Sequence, residues 1–165
     1  MRFYTSGPHE GILRRIETER IAVKPLGAEI GRASAIKMMY ASLNKGANAL
    51  RAAAILAARQ LNVSDELQEE LAHSLPDVHK AMLARMPNIA CDAARWTGEM
   101  REIASTYRDA GLTSGFHEGA EWIYEVLSNS PISEESRDEA DAKKRSLDEV
   151  TEIYHRTLLD YLGRV

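Results

Sequence analysis

Lys37 is the residue with the most chemistry to offer, because it stands in a long stretch that is otherwise apolar on two sides. Taking an amine partly out of water disfavours its charged form and makes it a candidate proton donor and acceptor. The plainer reading is a lysine whose stem lies on apolar surface while its tip reaches water. Asn44, Asn48 and Arg51 follow Lys37 at helical spacing, so the four share one face. An amide or a guanidinium on that face can bind a substrate, and an asparagine satisfied by a neighbouring helix is the alternative. Arg51 and Arg95 are the candidates for a carboxylate or phosphate, since the guanidinium fork suits planar oxyanions. Arg95 can instead pair with Glu99 four residues on.

Other chemistries lack their residues. The five histidines (9, 73, 79, 117 and 155) show no His-x-x-x-His spacing, so no metal site emerges. Cys91 is the one cysteine; it forms no internal disulfide, and beside Ile89 and Ala93 it reads as a small buried hydrophobe. No Gly-x-Gly and no Walker loop occurs anywhere, so the chain contains no phosphate-cradling turn. Trp96 and Tyr107 fit a core, and with aromatics at 6% nothing suggests a base-stacking platform.

The elements that carry these residues are mostly helical. Residues 1–30 hold two β-favouring runs, Phe3-Tyr4-Thr5 and Ile21-Ala22-Val23, flanking a periodic piece with Ile12, Leu13 and Ile16: a small strand–helix–strand. One helix is predicted over residues 31–61. Its first apolar line is Ile36, Tyr40, Leu43, Ala47, Leu50, Ala54, Ala57 and Leu61; a second is Met39, Gly46, Ala49, Ala53 and Leu56. A helix apolar on both flanks is expected to be central. Shorter helices follow at 65–73 after the N-cap Ser64, at 76–86 with Pro76 in the first turn, and at 88–110 up to Gly111. The inward stripe of the last of these is Ile89, Ala93, Trp96, Met100, Ile103 and Tyr107. The next helix presents Phe116, Ala120, Ile123 and Leu127 inward. Residues 133–145 read as a solvated connection or an exposed helix start, and Ser146-Leu-Asp-Glu149 is a capping box opening a final helix with Leu147, Val150, Tyr154, Leu158 and Tyr161 inward. The predicted fold class is a mostly α, multi-helix domain around one long central helix.

At 165 residues, 44% hydrophobic and 28% charged, the chain has the composition of an ordinary globular domain. Its 21 basic and 25 acidic residues leave a net charge of −4, which gives no general attraction to nucleic acid or anionic lipid. No run approaches the roughly 18 apolar residues of a membrane span, and the start at Met1-Arg2 lacks the apolar core of a signal peptide, so a cytoplasmic location is expected.

The segment Gly31-Arg-Ala-Ser-Ala-Ile-Lys37-Met-Met-Tyr40 resembles the glycine-led start of the interdomain helix of the β-hydroxyacid dehydrogenase superfamily, which includes 3-hydroxyisobutyrate and 6-phosphogluconate dehydrogenases. The likeness extends to Arg2-Phe-Tyr-Thr-Ser-Gly7 and Arg20-Ile-Ala-Val-Lys-Pro-Leu-Gly27, which look like the last strands of that family's nucleotide-binding domain. Ala41-Ser-Leu-Asn-Lys-Gly46 and Arg95-Trp-Thr-Gly-Glu-Met-Arg-Glu-Ile-Ala104 look like one branch of it with a helical C-terminal domain. The resemblance implies that residues 1–30 end an incomplete Rossmann-type sheet and that 31–165 form an all-helical substrate and dimerisation domain. It implies Lys37 as the catalytic acid/base that polarises a substrate hydroxyl and shuttles its proton. It further implies NAD or NADP for a full-length protein, a small hydroxy acid as substrate, phosphorylated or not, and a homodimer.

Two departures bear on that expectation. Where well-studied members carry an asparagine one turn after the lysine, this chain has Ala41; Asn44 and Asn48 continue the face and can supply an amide. The missing Gly-x-Gly means that this chain alone is expected to bind no dinucleotide and to be inactive by itself. The alternative is a non-catalytic helical dimerisation or ligand-binding module of the same fold.

Overall fold

The computed structural model describes residues 1–163, so the last two positions of the domain expected at 31–165 lie outside the described residues. The chain separates into two compact units, Met1–Ala41 and a second that begins at Ser42.

The first unit holds strand β1 (Arg2–Thr5), a 3-10 helix (Ile12–Ile16), strand β2 (Ala22–Pro25) and helix α1 (Arg32–Ala41). β1 and β2 pair in parallel, with Arg2 opposite Ala22 and Thr5 opposite Pro25. The expected strand–helix–strand is present, with a 3-10 turn as its helical piece. It stops at Glu17, whose backbone is extended and whose carboxylate accepts the Val23 N–H at 2.9 Å. The sheet end is tied by Gly7, which donates to the Gly27 carbonyl at 3.0 Å from a left-handed φ of +107°. Gly31, at φ +97°, turns the chain into α1, and Ser6 Oγ accepts the Ala33 N–H at 3.1 Å in its first turn. Val23 is buried, whereas Phe3, Tyr4, Ile12, Leu13 and Ile16 remain exposed.

The second unit is a helical bundle. It comprises a π-helical turn (Ser42–Gly46), α2 (Ala47–Leu61), α3 (Ser64–Ser74), α4 (Pro76–Arg85), a 3-10 segment (Met86–Asp92), α5 (Ala93–Asp109), α6 (Gly115–Ser128), α7 (Arg137–Ala142) and α8 (Leu147–Tyr161). Pro76 opens α4 as expected. Gly111 ends the helix before it at φ +76°, donating back to the Arg108 carbonyl at 2.9 Å. The core takes Ala52, Ile55 and Leu56 from α2, Trp96, Met100 and Ile103 from α5, Tyr124, Val126 and Leu127 from α6, and Val150 and Tyr154 from α8. Burial of each large side chain is worth about 1.5–3 kcal/mol. Two tyrosines tie this core to backbone: Tyr154 donates to the Met86 carbonyl at 2.9 Å and Tyr124 to the Lys45 carbonyl at 2.6 Å.

Several expectations are corrected. The single helix at 31–61 is interrupted by the π turn, whose Lys45 carbonyl is bonded by Tyr124. The first apolar line faces outward: Tyr40, Leu43, Leu50 and Leu61 are about three-quarters exposed. The small residues Ala49, Ala52 and Ala58 turn inward with Ile55 and Leu56, because α6, α8 and α3 pack on that side. Phe116 is likewise exposed, and His117 takes the buried position beside it. The helix expected from 88 begins as a 3-10 segment around Pro87 and becomes α-helical at Ala93. Ser64 is the first helical residue, not a cap, and its hydroxyl is buried without a partner among the described residues. Residues 133–145 include α7, opened by a capping box of Ser136 and Glu139 that anchors the buried Ala140. Tyr161 is exposed. No helix among the described residues is long and apolar enough to cross a membrane.

The Ser146–Glu149 capping box forms as expected, with Ser146 Oγ accepting the Glu149 N–H at 3.1 Å and Glu149 accepting the Ser146 N–H at 2.7 Å. Replacing Ser146 with Ala is expected to lower unfolding stability by about 1 kcal/mol, read from the urea midpoint.

Candidate functional site

In the first unit, Lys37 lies on α1 with its side chain exposed, as are Ile36, Met39 and Tyr40 around it. The partial desolvation expected of Lys37 is therefore absent: the apolar residues near it do not cover it. Its amine is reachable by a substrate from solvent.

In the second unit the polar strip separates into distinct environments. Asn44 is exposed. Asn48 is buried and its Oδ1 accepts from Arg51 Nη1 at 2.9 Å, so these two form a pair on α2. Arg95 donates to Asp92 at 2.8 Å and to Glu99 at 3.3 Å, the second being the helical pairing anticipated from the sequence. Asp92 also accepts from Arg85 at 2.7 Å and from Arg137. Burial alone would raise the Asp92 carboxyl, but the hydrogen bonds from Arg95, Arg85 and Arg137 outweigh it and hold the group below the usual carboxylate range. Glu99 is shared with Lys45, which lies 5.5 Å from the Trp96 ring centre. Arg51 makes no ion pair among the described residues, which leaves it the less committed of the two arginines. The described residues hold no cluster of three or more His, Cys, Asp or Glu side chains able to bind a metal ion.

Sequence reasoning missed a cluster that the fold assembles from three elements. Ser42 in the π turn, Tyr107 near the end of α5 and His117 in α6 meet: Ser42 Oγ lies 2.9 Å from the Tyr107 hydroxyl and 2.8 Å from His117 Nε2. The Tyr107 and His117 rings lie with centroids 4.4 Å apart. His117 is 4% exposed and its Nδ1 is buried without a hydrogen-bond partner among the described residues. Burial holds its pKa below the ordinary histidine value, so the ring is neutral in the fold. These three residues line a cavity of about 540 Å³ between α2 and α6, together with Ala49, Leu50, Ala53, Phe116, Trp122 and Ile123. The only early signal was Tyr107 ending a buried stripe; His117 lay one position from the expected Phe116. A larger concavity of about 830 Å³, beside the start of α8, is open and charged, and its Arg59 and Arg145 are already paired to Glu152 and Glu135.

Residues 58–127 match a family described as a domain of unknown function (DUF1932). Among solved structures, a conserved hypothetical protein from Sinorhizobium meliloti 1021 has the same fold, with a TM-score of 0.71 at 18% sequence identity over 93% of this chain. The match spans 51% of that protein, so this chain corresponds to about half its length. No curated protein matches the sequence.

The depressed His117 has a definite pH signature. Unfolded histidine takes up a proton near pH 6.5 while His117 in the fold resists it, so stability is fully present above that pH and falls as the pH drops toward the folded value. Replacing His117 with Gln is expected to flatten this fall, whose limiting slope is about 1.4 kcal/mol per pH unit, in urea unfolding between pH 7 and 5.

Proposed function

We propose that this chain is the helical substrate-binding and dimerising portion of an NAD(P)-dependent hydroxyacid dehydrogenase-like oxidoreductase, with residues 1–30 ending its nucleotide-binding sheet and 31–165 forming the helical domain. The observation that carries the reading is the join between them. A parallel strand pair leads through Gly31, held at φ +97°, into the helix on which Lys37 presents an exposed amine six residues later. Parallel pairs belong to sheets covered on both faces, and this one leaves Phe3 and Tyr4 exposed. The shared fold with a conserved hypothetical protein of about twice the length agrees with a part of a larger protein.

Lys37 Nζ, as acid/base, hydrogen-bonds the hydroxyl of a small hydroxy acid and accepts its proton as the carbonyl forms. Within the second unit, Arg51, whose guanidinium is bonded to Asn48, is the first candidate for an anionic group, with Asn44 and the already paired Arg95 as the further candidates. The described residues do not themselves fit a dinucleotide. The turn after β1 leads into a 3-10 helix of 5 residues, and the Ala33 N–H at the start of α1 is already taken by Ser6. In a full-length protein NAD or NADP would supply the hydride acceptor. Dimerisation is supported by Leu43, Leu50 and Phe116, each at least 70% exposed. A cytoplasmic setting fits such an enzyme.

A non-catalytic module of the same fold is favoured by one observation: Ala41, one turn beyond Lys37, offers no amide.

The test is nicotinamide reduction at 340 nm by the natural protein with small 2- and 3-hydroxy acids. Replacing Lys37 with Met is expected to lower kcat by roughly a hundred- to ten-thousandfold with KM little changed. A natural protein that reduces neither NAD nor NADP with any of these acids would establish the module instead. Sedimentation is expected to show a dimer, shifted toward monomer by Leu43→Glu; a wild-type monomer at micromolar concentration would remove the dimerisation claim.

A further inference from the structure

The cavity between α2 and α6 takes no part in the acid/base role proposed for Lys37, although Leu50 and Phe116 at its walls also belong to the exposed surface proposed for dimerisation. No Asp, Glu, Lys or Arg lines it; its walls are Ala49, Leu50 and Ala53 from α2 and Phe116, Trp122 and Ile123 from α6. Its volume of about 540 Å³ falls within the range of small-molecule sites, roughly 300–1,000 Å³. Ser42, Tyr107 and His117 are the hydrogen-bonding side chains that meet one another among these walls, and the Trp122 indole N–H stands apart from them.

A proton count on those three groups is informative. Ser42 and Tyr107 each carry one O–H, and neutral His117 carries one N–H, making three donors for two hydrogen bonds. Leaving an N–H unpaired at the buried Nδ1 is the costlier arrangement, so the ring proton resides on Nε2 and is donated to Ser42 Oγ. One hydroxyl proton, from Ser42 or from Tyr107, then satisfies the bond between them, and the other is left over. Ser42 and Tyr107 both line the cavity, so the spare O–H, whichever of the two carries it, is within reach of a ligand there.

We propose that the cavity is a binding site for an uncharged, largely apolar carbonyl compound whose oxygen accepts the spare hydroxyl proton of the Ser42–Tyr107 pair. The carbonyl supplies the acceptor the cluster lacks, and the apolar body replaces water against Leu50, Ala53, Trp122 and Ile123. A carboxylate is disfavoured because no cation lines the site to offset its desolvation.

Three probes of matched shape test this with the full chain: 2-acetylnaphthalene, 2-ethylnaphthalene and 2-naphthoate, titrated by calorimetry with the Trp122 indole resonance as site marker. The ketone is expected to bind roughly tenfold more tightly than the hydrocarbon, as one neutral hydrogen bond predicts, and the carboxylate most weakly. Removing both hydroxyls in Ser42→Ala/Tyr107→Phe erases the ketone's advantage and leaves the hydrocarbon unchanged, whereas Tyr107→Phe alone keeps it, because the Ser42 O–H is then the spare donor. Ala53→Leu weakens all three by filling the space. Equal affinity for ketone and hydrocarbon, tightest binding of the naphthoate, or no effect of Ala53→Leu overturns the proposal. So does a ketone affinity that weakens as protein concentration rises, which would mean that a second copy fills the cavity.

Discussion

The second unit depends on one buried hydrogen bond, from the Tyr124 hydroxyl to the Lys45 carbonyl at 2.6 Å. A π turn contains an extra residue, and its backbone needs a partner beyond the regular helical ladder. Such a bond contributes only about 1 kcal/mol net, but an unmet buried carbonyl would cost more, so the turn and Tyr124 stabilise each other. Tyr124 is in turn fixed by the edge of Trp96 at 5.3 Å and by its own full burial. Burial pushes its phenol far above the ordinary range, so it stays a hydroxyl donor at any pH at which the fold exists. Ser42 opens this turn and reaches His117, while Leu43 next to it faces water.

A second constraint acts at the start of α5. Asp92 gathers Arg85, Arg95 and Arg137 from three different segments, and Asn88 joins the group through Arg85 at 2.5 Å and Asp141 at 2.6 Å. One carboxylate cannot neutralise three guanidiniums, yet removing it would leave them to repel one another, so the cluster works as a clamp rather than as a reservoir of free charge. This bears on chemistry as well as packing. An arginine that already holds Asp92 and Glu99 has little left for an incoming anion, whereas Arg51, held only by a neutral amide, keeps its full charge for one.

The helices with long, regular patterns were legible in the sequence, as were the Ser146 capping box, Pro76 at a first turn and Gly111 at a stop, because each rests on local chemistry. The stripe from Ala93 through Ile103 was read correctly because α5 carries it without interruption, and Ile89 in the 3-10 segment before it is buried as well. What was not legible depended on contacts between distant residues. The apolar line through Tyr40, Leu43 and Leu50 has the stronger pattern, but Ala49 and Ala52 have the better shape for close helix packing, and shape decided which face turned inward. Ser42 and His117 lie 75 residues apart, so their meeting could not be inferred from spacing. The candidate residues lie on helical segments, but spacing did not reveal all of their surroundings: Lys37 is exposed, Asn48 is buried, and Arg95 adds Asp92 to the Glu99 pairing that its spacing anticipated.

The two units stand in different energetic positions. The second covers its large side chains with its own helices, and the residues it leaves outside, such as Leu50 and Phe116, stand on a surface backed by a complete core. The first buries little beyond Val23, while two strands in parallel expose apolar side chains that a two-stranded sheet cannot shield alone. Its conformation is held mainly by backbone bonds and by glycine turns at Gly7, Gly27 and Gly31. Lys37 belongs to this less covered unit. The solvation of its amine, and hence its fitness as an acid/base, is set by whatever packs against α1 in the working protein, whereas the hydroxyl pair in the second unit already has its dielectric surroundings fixed by the bundle.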